Sequence, residues 1–152
     1  MAQYCTFYLG PQIYGMDILG IQEILRFNEI TPVPNGPFYV EGLINLRGQI
    51  VVAVNLRRLF GIGAPPAGID PIHLIVNFEG EALSLMADRA GDVIDFGGEE
   101  MLTRPAHKTG SASRLIQGVF RLKDALLQVL DVRAIFETQN GPESIHLNPA
   151  ES

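Results

Sequence analysis

Basic clusters, cysteine pairs and long apolar runs are all missing from this chain of 152 residues. Seventeen acidic residues stand against eleven basic ones, giving a net charge of −6, and Arg57-Arg58 is the only pair of adjacent basic residues. Such a surface repels a phosphate backbone, so nucleic acid is not an expected partner. The single Cys5 excludes an internal disulfide, and its place in an alternating, strand-like run reads as a packed thiol. The longest apolar run, Ile50 to Val54, is far short of a bilayer span. Met1-Ala2-Gln3-Tyr4 has neither the basic start nor the apolar centre of a signal peptide. The expectation is a cytoplasmic protein without direct membrane insertion.

Chemistry-bearing patterns are equally scarce. His73, His107 and His146 lack the short spacing of metal ligands, and only Cys5 could assist them, so no metal or cofactor is expected. No Gly-x-Ser-x-Gly elbow surrounds the serines at 84, 111, 113, 144 and 152. The glycine-rich stretches at 61–68 and 97–98 carry no phosphate-binding Lys-Ser/Thr. Asp88, Asp92, Asp95, Glu99 and Glu100 cluster in sequence, which reads as a solvated strand end and loop. An enzyme would have to assemble its site around Asp88–Glu100 from residues distant in sequence.

What the chain does have is a repeat. Gly42–Phe60 lies without a gap over Gly118–Phe136, with Leu46 on Leu122, Asn55 on Asp131 and Arg57 on Arg133. Upstream, Ile13 falls on Ala82, Glu23 on Asp92, Ile24 on Val93 and Phe27 on Phe96. An apolar design used twice points to two related sub-units with a seam where a partner can bind. Halves of about 70 residues are marginal alone, so one cooperative fold is expected.

Tyr4–Leu9 and Ile13–Ile18 read as a hairpin broken at Gly10-Pro11. Alternation then places Leu19, Ile21, Glu23 and Leu25 on one face. Prolines at 32, 34 and 37 make 28–42 a loop with at most a helical turn near Phe38–Glu41. Leu43–Leu46 and Gln49–Asn55 form strands joined at Arg47-Gly48, and Asn55 caps a short helix ended by Gly61. After the proline-rich 64–71, strands follow at His73–Phe78, Ala82–Ala87 and Asp92–Phe96, then a polar loop from Gly97 to Arg114. The last hairpin, Gly118–Leu122 with Ala125–Leu130, leads into a helix Val132–Phe136 capped by Asp131. Many short strands with little helix favour small barrels. Leu43, Ile50, Val52 and Val54 read as core. Arg47, at a hairpin tip, presents a planar donor group that suits a partner carboxylate or simply meets water, and Glu23 is similarly either an interface rim or solvated.

Pro34-Asn35-Gly36-Pro37 followed by Gly42-Leu43-Ile44-Asn45-Leu46-Arg47-Gly48-Gln49-Ile50 closely resembles the signature of the CheW family of chemotaxis coupling proteins. Tyr14-Gly15-Met16-Asp17-Ile18 and Ile21-Gln22-Glu23-Ile24 are similar to two further motifs of that family, and the likeness covers residues 3 to 137. The resemblance implies a mostly β fold: two small five-stranded SH3-like barrels around a shared core, with short helices. It implies a CheW-like domain over residues 1–138, with halves at about 1–63 and 72–138, followed by a flexible polar tail at 139–152. It implies no catalysis, but an adaptor coupling chemoreceptor cytoplasmic tips to the regulatory domain of the histidine kinase CheA, within membrane-anchored arrays. Ile21, Glu23 and Arg47 match positions used at or near the receptor groove, and Gly42 and Asn45 match the structural signature. Val52 and Asn55 stand where the family commonly has Pro and Asp, and Glu41 where a basic residue is frequent. A reversed rim charge is a way to separate parallel pathways, so a non-flagellar chemosensory system (pilus, gliding or developmental) is the alternative.

Overall fold

The structure, a computed structural model, describes residues 2–26, 29–103 and 112–139. In chain order it contains β1 (Gln3–Leu9), β2 (Gln12–Asp17), β3 (Ile21–Leu25), β4 (Val40–Leu46), β5 (Gln49–Asn55) and the helix α1 (Leu56–Leu59). The second half supplies β6 (Ile72–Phe78), β7 (Glu81–Ala87), β8 (Arg89–Asp95), β9 (Leu102–Thr103), β10 (Ile116–Arg121), β11 (Leu126–Leu130) and α2 (Val132–Gln139). Turn chemistry sets the hairpins: Arg47-Gly48 and Glu79-Gly80 both have positive φ at each residue, the two-residue geometry that suits twisted antiparallel strands.

Two sheets result, and they do not follow the two halves of the sequence. One sheet runs β8-β1-β2-β11-β10-β9, the other β3-β6-β7-β5-β4. Each half lends its first hairpin to the sheet completed by the other half. Parallel pairs, β2 with β11 and β5 with β7, stitch the loans in place. Neither half closes its own sheet, since each sheet takes strands from both halves. The repeat survives in detail. Thr31 bridges Leu43 on β4, and Leu102 on β9 pairs with Val119, the residue corresponding to Leu43. A Cβ on Gly42 would collide with the Thr31 carbonyl oxygen, and one on the corresponding Gly118 would lie 2.8 Å from the Leu102 carbonyl oxygen. Glycine is required at both places because another backbone lies against it.

The mostly β, SH3-like expectation holds, with a sixth strand in one sheet contributed by the short β9. Three apolar clusters are formed by the described residues. Ile44, Leu46, Val51, Ala53, Ile75 and Met86 form one cluster on the second sheet, and Tyr4, Ile13, Phe96, Phe120, Leu127 and Val129 form one against the first. The largest, including Phe7, Met16, Val52, Val54, Leu74 and Leu85, lies between the sheets. The unbroken run Val51–Val54 is thereby explained, since β5 is covered on both faces.

Several expectations require correction. Leu19 lies in a turn of 3₁₀ helix, not on the strand, and is 91% exposed. Ile50 is also exposed, at the outer end of β5. The strand β4 begins at Val40, inside the expected loop, because Val40 pairs with Val54 past a bulge at Glu41. The loop from Gly97 contains β9. Finally, α2 runs past Phe136 to Gln139, which is buried. Gly61, which ends α1, corresponds to Glu137, and without a glycine the helix continues. His107, His146 and 140–152 of the expected tail lie outside the described residues.

Candidate functional site

All five singled-out positions lie on β3, β4 or the β4–β5 turn of the second sheet. β3 and β4 are its opposite edges, and curvature brings them face to face. There Arg47 donates to Glu23 through both terminal nitrogens, with Nη1 3.2 Å from Oε1 and Nη2 on Oε2. The two charges read separately from the sequence are therefore one bidentate pair across the closure of the sheet. Arg47 remains largely exposed, while Glu23 is mostly covered. The donating guanidinium holds the Glu23 carboxyl below the usual carboxylate range. Arginine is uncommon at φ 51°, and Asn45 supports the turn by accepting the Gly48 N–H at 2.8 Å. Asn45 thus shapes the tip that aims Arg47, and Gly42 admits the Thr31 segment beneath it. Ile21 packs on the core between the sheets.

A cleft of about 390 Å³ opens where the two sheets meet, lined by Tyr4 and Leu130 from one, Asn77 and Phe78 from the other, and Arg133 of α2. Leu19 projects at its rim. Gln22, next to Ile21, accepts from Asn77 at 2.9 Å and ties β3 to the cleft wall. The arrangement offers a cleft of mixed lining, apolar at Leu19, Phe78 and Leu130 and polar at Asp17, Asp131 and Arg133, with the charged pair reached two residues after β3 begins at Ile21. It holds no converging acid, base and nucleophile. Among the described residues no group of histidine, cysteine and carboxylate side chains is placed to hold a metal ion. No helix among them is long and apolar enough to cross a membrane.

One pair escaped the sequence reading. Asp88 is not a solvated strand end but is buried, only 8% exposed, against Arg57 at 9%. Arg57 donates from Nε to Oδ1 at 2.9 Å and from Nη2 to Oδ2 at 2.7 Å, and its Nη1 reaches the Gly63 carbonyl at 2.6 Å. The Gly10 N–H donates to the same carboxylate at 2.7 Å. Arg57 thereby pushes the Asp88 carboxyl below the ordinary range, an acid that stays ionised and structural. Asp92, Asp95, Glu99 and Glu100 are exposed. The faint signal available was the repeat itself, which keeps arginine at both 57 and 133. Glu41, read as an altered rim charge, pairs with Arg58 at 3.1 Å.

Comparison with known proteins places the sequence and fold in one family. A family model described as a CheW-like domain matches residues 3–140. The chemotaxis protein CheW of Treponema pallidum is 34% identical over 90% of this chain and 83% of its own length. That of Thermotoga maritima is 29% identical over 87% of this chain and 85% of its own. The crystal structure of the scaffolding protein TtCheW from Thermoanaerobacter tengcongensis superposes with a TM-score of 0.78 at 27% identity, covering 86% of this chain and 84% of that one. With the duplicated sheets, the Asn45-Leu46-Arg47-Gly48 hairpin and a family match across nearly all its described length, the chain belongs to the CheW family.

Proposed function

We propose that this chain is a non-catalytic adaptor that couples the cytoplasmic tips of chemoreceptors to the regulatory domain of the histidine kinase CheA. The observation that carries the reading is the inter-sheet trough, with Leu19 at its rim and the Glu23–Arg47 pair nearby. A receptor tip is a helical hairpin. The leucine and ring surface of the cleft suits the apolar side of a helix, and the charges in and beside it fix the helix register. Ile21, Glu23 and Arg47 serve the receptor side of this contact, with Asn45 and Gly42 holding the hairpin and strand that present them. The protein works in the cytoplasm, at membrane-anchored receptors. Glu41 has an intramolecular partner in Arg58, so its sign gives no separate support to a non-flagellar pathway.

The test is capture of this chain by a soluble receptor-tip fragment. Arg47→Ala and Leu19→Ser are expected to weaken capture about tenfold or more, while urea denaturation midpoints stay close to the parent. Full capture by both variants rejects the trough as the docking site. Parallel loss of capture and stability in Arg47→Ala assigns Arg47 to hairpin support instead.

A further inference from the structure

The chain passes between its sheets at two corresponding joints, and the repeat allows them to be compared residue by residue. Arg57 corresponds to Arg133 and Asp88 to Leu19, at offsets of 76 and 69 residues. At the first joint the chain leaves β7 for β8 at Asp88. The carboxylate there gathers Arg57 of α1 and the Gly10 N–H of the β1–β2 turn, and the Asp88 N–H reaches the Tyr8 carbonyl at 3.0 Å. Helix, turn and crossing are locked together in a buried setting.

At the second joint the chain leaves β2 for β3 at Leu19. The Leu19 N–H bonds to Asp17 Oδ1 at 2.9 Å, inside its own turn, so it fastens nothing to the opposite sheet. Arg133 has no carboxylate partner among the described residues. Its guanidinium carbon stands 5.3 Å from the centroid of the Phe78 ring. Leu19 and Arg133 both border the 390 Å³ cleft.

We propose that the two joints are a pivot and an opening: the sheets turn about the Arg57–Asp88 lock and part at the Arg133–Phe78 joint, so that the cleft beside Leu19 changes width. Parting at the first joint would expose or strand buried charges, whereas parting at the second draws an exposed cation off the Phe78 ring and slides that ring on Phe136, 5.6 Å away between centroids, without stranding a charge. Corresponding positions in the two halves have thus specialised, one for rigidity and one for compliance. Both joints belong to the chain alone, whatever partner it binds.

Hydrogen–deuterium exchange of the full chain tests it. Amides of 78, 79, 81 and 17–20 are expected to exchange about tenfold faster than the corresponding amides of 9, 10, 12 and 86–89, Pro11 having none. Leu19→Asp places a carboxylate on the rim of the cleft that Arg133 also lines, at a position 91% exposed and outside the core. It is expected to slow the second joint about tenfold, while Leu19→Asn leaves it unchanged. Equal protection at both joints in the parent chain overturns the proposal. So does a Leu19→Asp variant that is no slower than Leu19→Asn.

Discussion

Replacing Arg57 by Met is expected to be the most damaging single change away from the apolar core. The variant keeps the stem of the side chain but leaves the Asp88 carboxylate, 8% exposed, with only the Gly10 N–H at 2.7 Å. Breaking a buried pair from one side costs about 3–5 kcal/mol, because the remaining charge stays desolvated. For a chain of this length each kcal/mol moves Tm by about 2–4 °C, so the expected fall is about 6–20 °C. Asp88→Leu strands the arginine with only the Gly63 carbonyl and falls in the same range. The double variant, with neither charge, recovers a large part of the loss. Urea and thermal denaturation of all four chains by circular dichroism measure the cycle. The sign with pH follows as well. The Asp88 carboxyl is held below its unfolded value, chiefly by the Arg57 hydrogen bonds. Its contribution is therefore complete above about pH 4 and fades as pH falls through the lowered folded value. A loss below about 1 kcal/mol in either single variant, or losses that simply add, would refute the reasoning.

Other outcomes follow from the same structure. Burial lowers the pKa of His73, which is 1% exposed and 2.7 Å from Ser84 Oγ. The unfolded chain then binds a proton more readily than the folded one, so stability falls as pH drops below about 6.5 toward the lowered folded value. Urea midpoints at pH 7.5 and 5.5 should differ in the parent chain and differ less in His73→Leu, and an identical pH dependence in both would contradict the assignment. Gly42→Ala and Gly118→Ala each force a Cβ into a facing backbone, costing about 1–3 kcal/mol of denaturation free energy; a neutral result at either site removes the close-approach argument. Asn45→Ala removes the acceptor for the Gly48 N–H and should cost about 1 kcal/mol, read by the same assay.

Local features were legible from residue chemistry. Asn55 and Asp131 cap their helices as read, each accepting an N–H three residues on at 3.1 Å. The Arg47-Gly48 turn and the alternation that turns Glu23 and Leu25 inward were visible in a few consecutive residues. The loan of hairpins between halves was not, because a repeat specifies which strands are alike and not which copy each one pairs with. Asp88 was misread because four exposed carboxylates follow it, and nothing local announces an arginine 31 residues away. Leu19 was misread because the alternation continues backward through a turn that Asp17 caps. In the candidate site, the family motif marked Glu23 and Arg47, but their union required the curvature that brings opposite sheet edges together.

Reconstitution of this chain with a receptor-tip fragment and a CheA-type kinase tests the central claim most directly, with kinase autophosphorylation as the measured quantity. The account predicts a ternary complex and receptor-dependent kinase activity that requires this chain and is lost on omitting it. Kinase activity indifferent to its presence, with no complex formed, would contradict the adaptor reading.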